Sequence, residues 1–323
     1  MYVKENTGDA CKQEYLDIVD AFTCARVANT EPLGSYMTKY IIITPARDED
    51  DYLERTILSV LQQSILPIQW ILVDDGSRDR TGEIMDHYAQ LYPWITFCHR
   101  NDRGFRNSAG GEIDAFYDGY SRIACSDWNF IIKLDGDLSF SPDYFAKCFA
   151  EFANDPRLGI GGGGIYHELK GGIILEKSPM FHVRGATKIY RRECWDDLGG
   201  LIRTPGWDTV DELKANMLGW TTRSFPDFRL LHHRYTGAAD GAWKNAIKDG
   251  RANYIAGYHP LFMFVKCAAR SIKYPCLVGS AGLMRGFLSG YWERVPQVQD
   301  RGLIRYTRNQ QLRRLFLLDT IWK

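Results

Sequence analysis

The chain has 323 residues, 45% hydrophobic and 25% charged, enough for one large domain or one domain with an appendage. Its 40 basic residues equal its 40 acidic ones, so no global field suits a polyanion, and any anionic ligand must be held by local charge. The eight cysteines form no CxxC pair and no metal-finger spacing, which argues against a disulfide or zinc scaffold and for reduced thiols in a cytoplasmic setting.

Residues 1–37 lack the patterning of the rest of the chain. Met1–Asp20 is too polar for the apolar stretch of a signal peptide, and only "EYLDIVDAF" suggests a short helix. Met37 directly precedes the first patterned segment, so these residues read as a loosely attached arm or as sequence upstream of the true start. From Tyr40 the pattern alternates. "YIIIT" is an apolar β-branched strand, followed by a helical stripe through Leu53, Ile57, Val60 and Leu61. "WILVDD" is a second strand ending in acid, followed by the helix "RTGEIMDHYAQLY". "ITFCHR" reads as a third strand, "AGGEIDAFYDGYSRIA" as a helix and "NFIIKLDGD" as a fourth strand. This rhythm predicts a mostly parallel sheet covered by helices on both faces, with ligands bound beyond the carboxyl ends of the strands.

After Asp137 the parallel rhythm stops. "SPDYFAKCFAEFAND" is a helix with a Ser-Pro start, and the glycine-laden "LGIGGGGIYHELKGGIIL" is a strand and a turn. Beyond Asp240 lie two apolar segments, "GYHPLFMFVKCAARS" and "YPCLVGSAGLMRGFLSGYW", interrupted by Lys266 and Arg285. Each falls short of the about 20 uninterrupted apolar residues of a spanning helix. They fit either a helix pair lying on a membrane surface or ordinary packing on the domain, and the basic "RYTRNQQLRRLF" fits either as well.

Asp135 and Asp137 end the fourth strand with one glycine between them. Two carboxylates so placed repel each other unless something cationic compensates. They can hold a hard divalent cation through oxygen, with diphosphate oxygens completing its shell. Alone, such a triplet is more often a surface turn. Here "IIITPARDED", "VDDGSRDRT" and "DGD" follow one another on successive predicted strands, and together they resemble the family 2 glycosyltransferases, which act on nucleotide sugars and have the GT-A fold. The resemblance spans roughly Lys39–Thr236 and implies a GT-A domain over 38–236, with 237–323 as a C-terminal helical, membrane-associated or packed segment.

The resemblance further implies a site. Thr44, Pro45, Ala46, Arg47 and Glu49 would surround the base and ribose, with Arg47 and Asp48 standing where the family usually has Tyr and Asn. Asp74 and Asp75 would reach base and ribose donors, and Arg103 and Arg106 of "NDRGFRNSAGG" the diphosphate. Gly185 and Ala186 of "GATKIYRRECWDDLGG" would lie beside the donor sugar. Asp137, with Asp135 assisting, would hold Mg²⁺ or Mn²⁺. A late histidine completes the metal shell in several GT-A enzymes, and since strand neighbours point oppositely, at most one of His232 and His233 would face the site. The family's base is an Asp in a Glu-Asp pair upstream of a Gly-aromatic. Counting back from Gly219-Trp220 in "PGWDTVDELKANMLGW" gives Asp208, with Trp207 in the glutamate's place and Asp211 and Glu212 as a rival pair one turn on. A capping box of Asp208 and Asp211 is the structural alternative.

The resulting expectation is a metal-dependent inverting glycosyltransferase using a UDP-, GDP- or dTDP-sugar and a glycan or lipid-linked acceptor hydroxyl. It would sit in the cytoplasm or peripherally at the cytoplasmic face of the membrane, without nucleic acid as a partner. A nucleotidyltransferase is the competing enzyme, although "TPARDED" lacks the glycine-rich basic loop such enzymes open with; a non-catalytic nucleotide-sugar-binding relative is the other alternative. A dinucleotide-binding dehydrogenase fits poorly, because "GIGGGG" precedes a strand rather than a helix.

Overall fold

A computed structural model of the chain describes residues 38–104, 110–169, 172–234, 241–271 and 277–322. The leader (1–37) and Arg106 lie outside them. The first half builds as the alternation requires. Strands β1 (Tyr40–Ala46), β2 (Gln69–Asp74), β3 (Ile95–His99) and β4 (Phe130–Leu134) are parallel in the order β3-β2-β1-β4. Helices α1 (Leu53–Leu61), α2 (Thr81–Leu91) and α3 (Gly111–Tyr120) connect them. Every residue of β1, β2 and β4 is buried, which is why these strands read as unbroken apolar runs. Ile42, Leu72 and Ile132 enter one core cluster, while Ile41, Ile43, Ile71, Val73 and Ile131 enter the cluster on the opposite face.

Beyond β4 the sheet becomes mixed. β5 (Leu138–Phe140) and α4 (Tyr144–Asn154) lead to β6 (Leu158–Leu169) and β7 (Gly172–Leu175). β8 (Thr187–Arg191), α5 (Arg192–Leu198), α6 (Trp207–Met217) and β9 (Thr221–His232) come next. The order continues β4-β8-β6-β9-β5, with β8 antiparallel to β4 and to β6, β9 parallel to β6, and β5 antiparallel to β9. The last pairing sets Leu138 opposite His232 and so draws the end of β9 to the Asp-Gly-Asp turn. Gly136 in that turn does not adopt a left-handed backbone. A side chain there would meet Leu53 Cδ1 at 3.2 Å and Ala46 Cβ at 3.4 Å, so close packing of the turn against β1 and α1 is what calls for glycine.

Four helices come after β9: α7 (Gly241–Ile255), α8 (Pro260–Arg270), α9 (Val278–Trp292) and α10 (Arg301–Leu315). They share a core with α6 through Val210, Leu213, Tyr254, Phe262, Met263, Leu283, Phe287 and Leu303, together with Phe181 from the segment before β8. α7 and α9 meet backbone to backbone. A Cβ on Gly250 would come within 2.0 Å of Leu283 O, and one on Gly286 within 2.0 Å of Ile247 O. Among the described residues no helix is long and apolar enough to cross a membrane. Phe264, Leu288 and Trp292 nevertheless stay well exposed on α8 and α9.

Candidate active site

The carboxyl ends of β1, β2 and β4, the Asp-Gly-Asp turn between β4 and β5, the end of β9, the start of α6 and residues of α7 and α8 line a cleft of about 1360 Å³. Pro45, Ala46, Arg47, Glu49 and Asp75 line its first end. The buried Arg47 guanidinium donates to Asp75 O at 2.9 Å and to Asp102 Oδ1 at 2.7 Å, tying the first two loops together. Asp75 is held by Arg100 and, at 2.5 Å, by Arg103 Nη2. Arg103 thus reaches the cleft through Asp75. Glu49 pairs with Arg234 Nη2 at 2.8 Å. Like Arg103, two further expected contact residues do not line the cleft. The Thr44 hydroxyl is wholly buried and accepts from Trp70 Nε1 at 2.9 Å. Asp74 faces away, accepting from Ser77 N at 2.8 Å and pairing with His99 Nδ1 at 2.9 Å. Both shape the loops from beneath, as the tight-turn reading of "DGS" anticipates.

Asp135, Asp137 and His232 come together at the middle of the cleft, their ligand atoms all within 4.8 Å of one another. His232 Nε2 lies 3.0 Å from Asp137 Oδ2. Asp137 Oδ1 is buried and has no hydrogen-bond partner among the described residues. A dehydrated carboxylate oxygen left in that state is costly, and a hard cation is the partner an Asp-Asp-His donor set fits. The alternation along β9 separates the histidines. His233 Nε2 pairs with Ser139 Oγ at 2.7 Å and its ring stacks on Tyr52 at 5.8 Å, outside the acidic cluster, so the expectation of a metal-facing His233 is corrected.

Lys133, which sequence reading passed over, supplies the other compensation. Its ammonium is buried, ion-paired with Asp135 and Glu112, and donates to Gly185 O at 2.8 Å. Burial works against that charge, but Asp135 and Glu112 outweigh it and hold the amine above its ordinary pKa. For Asp135 burial prevails: its carboxyl is pushed up, against the pull of Lys133 and with Glu112 and Asp137 adding to the rise. Gly185 does line the cleft, and a side chain on it would meet the Trp207 ring at 3.0 Å. Trp207 in turn lies 5.5 Å from both the Lys133 and the Lys188 ammonium, a cation–π position for each. An indole thus stands between two buried cations where the resemblance leads one to expect a glutamate.

Helix α6 separates the two candidate bases. Asp208, in its first turn, lines the cleft with its side chain 23% exposed, and Arg184 Nη1 is 4.0 Å away. Burial opposes its charge, but His182, Lys188, Arg184 and Lys133 outweigh that and hold it below the usual carboxylate range. Asp211, one turn on, lies outside the cleft lining. It accepts from Lys188 Nζ at 2.8 and 3.0 Å, from Tyr190 Oη at 2.5 Å and from Glu212 N at 2.7 Å. Glu212 is equally occupied, by Val183 N at 2.6 Å, His182 Nδ1 at 2.8 Å and Lys188 at 2.9 Å. No oxygen of this inner pair is left to reach a substrate, which corrects the expectation of Asp211 as a base. The helix has no side-chain cap, so the capping-box alternative fails too.

A sheet whose parallel half carries acids on successive strand ends, followed by a mixed half that returns a histidine to them, is the GT-A architecture. Residues 41–205, half of the chain, match the model of glycosyl transferase family 2, and the chain belongs to that family. Among curated relatives, the uncharacterized glycosyltransferase EpsJ of Bacillus subtilis is 32% identical over 127 residues, 39% of this chain and 34% of its own. The chain therefore matches only about a third of that relative's length. A mannosyltransferase from Pyrobaculum calidifontis, solved with GDP-mannose and Mn²⁺, superposes with a TM-score of 0.55 at 14% identity, covering 86% of this chain and 95% of that one. Residues 1–349 of TarS from S. aureus, solved with UDP-GlcNAc, give 0.51 at 14% identity over 85% and 81%.

Proposed function

We propose that the protein transfers a sugar, with inversion, from a nucleotide diphosphate sugar to an acceptor hydroxyl, using Mg²⁺ or Mn²⁺. The observation carrying this reading is the unpaired, buried Asp137 Oδ1 beside Asp135 and His232, at the strand ends where the fold gathers its acids. Asp137, Asp135 and His232 would hold the cation, which supplies positive charge to a departing nucleoside diphosphate. Arg47, Glu49 and Asp75 orient the nucleoside at one end of the cleft, and Gly185 leaves room for the sugar. Asp208 is ionised at neutral pH and takes the proton from the acceptor oxygen as that oxygen bonds to the anomeric carbon and the carbon–diphosphate bond breaks. One nucleophile and one base suffice, without a covalent intermediate. The exposed Phe264, Leu288 and Trp292 support peripheral contact with a membrane, where a lipid-linked acceptor would be met. The nucleotide-sugar complexes of the two structural neighbours support the donor class and leave base and sugar open.

The test is a thermal-shift panel of UDP-GlcNAc, GDP-mannose and dTDP-glucose with and without Mn²⁺. One donor should raise the melting temperature only when the metal is present. The Asp208→Asn protein should keep that shift and lose roughly 10²- to 10⁴-fold in turnover. A panel without any shift sinks the proposal.

A further inference from the structure

The end of the cleft opposite the nucleoside loops differs in charge from the rest. It is formed by Lys248 and Asp249 of α7 and by Lys266 and Arg270 of α8, and Asp208 and Arg184 lie on its inner side. Lys266 is half-buried, 5.2 Å from the Tyr258 ring, and its one hydrogen-bond partner among the described residues is Asn253 Oδ1 at 3.5 Å. Among the described residues neither Lys266 nor Arg270 has a carboxylate within ion-pair distance, and Asp249 on the facing helix is the acid whose field Lys266 feels. Burial, with Arg270 beside it, pulls the Lys266 amine down to about 8. A half-buried ammonium next to a second, exposed cation is unfavourable by itself and becomes favourable once an anion enters. The nucleotide's diphosphate would have its own partners at the Asp135–Asp137–His232 cluster, whereas these cations line the same cleft as Asp208, with Asp249 within electrostatic reach of Lys266, Arg270, Arg184 and Asp208 alike.

We infer that the α7–α8 wall is an acceptor subsite for a phosphate ester: Lys266 and Arg270 grip a phosphate carried next to the hydroxyl that Asp208 deprotonates. The inference rests on the proposed transfer reaction for the word acceptor, but phosphate binding can be measured without it. Glycerol 3-phosphate and glycerol are titrated calorimetrically into the full chain, both with UDP or GDP and Mn²⁺ present and without them. The phosphate ester should bind at least about tenfold more tightly than glycerol, in accord with one or two charge-assisted hydrogen bonds. Lys266→Met with Arg270→Met should abolish that preference and leave nucleotide affinity unchanged. Asp249→Asn, which removes the opposing charge without emptying the site, should tighten phosphate binding roughly threefold. Vesicles containing phosphatidic acid give the second arm. Binding tighter than to glycerol 3-phosphate, and lost in the double variant, assigns the phosphate to a lipid headgroup; no gain over the soluble ester assigns it to a water-soluble acceptor. Equal affinity for ester and alcohol, displacement of the nucleotide by the ester, or an Asp249→Asn protein with weaker binding overturns the inference. Failure of the nucleotide to bind while the ester still does would instead count against the donor reading alone.

Discussion

Two crowded acid pairs, one at the end of β4 and one on α6, end differently. Asp211 and Glu212 are buried on α6, and each of their oxygens accepts from Lys188, Tyr190, His182 or a backbone amide. Among the described residues the Asp135 and Asp137 carboxylates have Lys133 and His232 as side-chain partners, and Asp137 Oδ1 is left over. Both pairs look alike in sequence. The difference teaches that crowding alone does not mark a site; incomplete compensation does. A fully satisfied cluster holds the fold together, and a cluster short of one positive charge is prepared to receive it.

The largest effect that would break this comparison is on Asp137. Asp137→Asn should lower transfer by roughly 10³-fold, in keeping with several kcal/mol of lost charge stabilisation. It should leave the melting temperature of the metal-free protein equal or higher, because a repelling charge is gone. A variant less stable without metal yet fully active would place Asp137 with the structural pair. Next is Lys188→Met, which strands two buried carboxylates and should cost about 3–5 kcal/mol in urea unfolding. If the loss stays under 1 kcal/mol, roughly, the inner pair is not the support described.

The smallest effect concerns Lys266. Its pKa in the folded protein, about 8, lies below the ordinary lysine value of 10.5. The cost of keeping it charged is therefore fully present below pH 8 and disappears as pH rises through 8 towards 10.5. Lys266→Met should melt roughly 2 °C higher than the parent at pH 7, with the gap closing by pH 10. A variant that melts lower at pH 7 would show that the lysine is already compensated.

The parallel half was legible because each buried strand is an apolar run that stops at charged residues, and the β1, β2 and β4 ends do fall along one edge. Period-two alternation along β9 sends the His232 ring to Asp137 and the His233 ring to Ser139 and Tyr52. What could not be read depends on packing between distant segments. Lys133 looks like a single charge in a strand, and only the approach of α3 and the Gly185 turn encloses it. Asp208 and Asp211 differ by less than one helical turn, and β8 sets them apart: Lys188 and Tyr190 bind the carboxylate of Asp211, whereas Lys188 donates only to the backbone carbonyl of Asp208. The cations of α7 and α8 carry no motif at all, since it is the return of these helices over α6 that faces them into the cleft.

The contact between α7 and α9 has one mechanical consequence. With Gly250, Gly282, Gly286 and Gly290 at the seam, main chain rests on main chain or on the flat ring of Tyr254. Such a joint has no layer of long side chains to slide or re-rotamerise. The two helices therefore behave as one stiff panel, and the spacing between Lys248 and the floor of the cleft is fixed by the course of a helix that supplies only Leu283 to its lining.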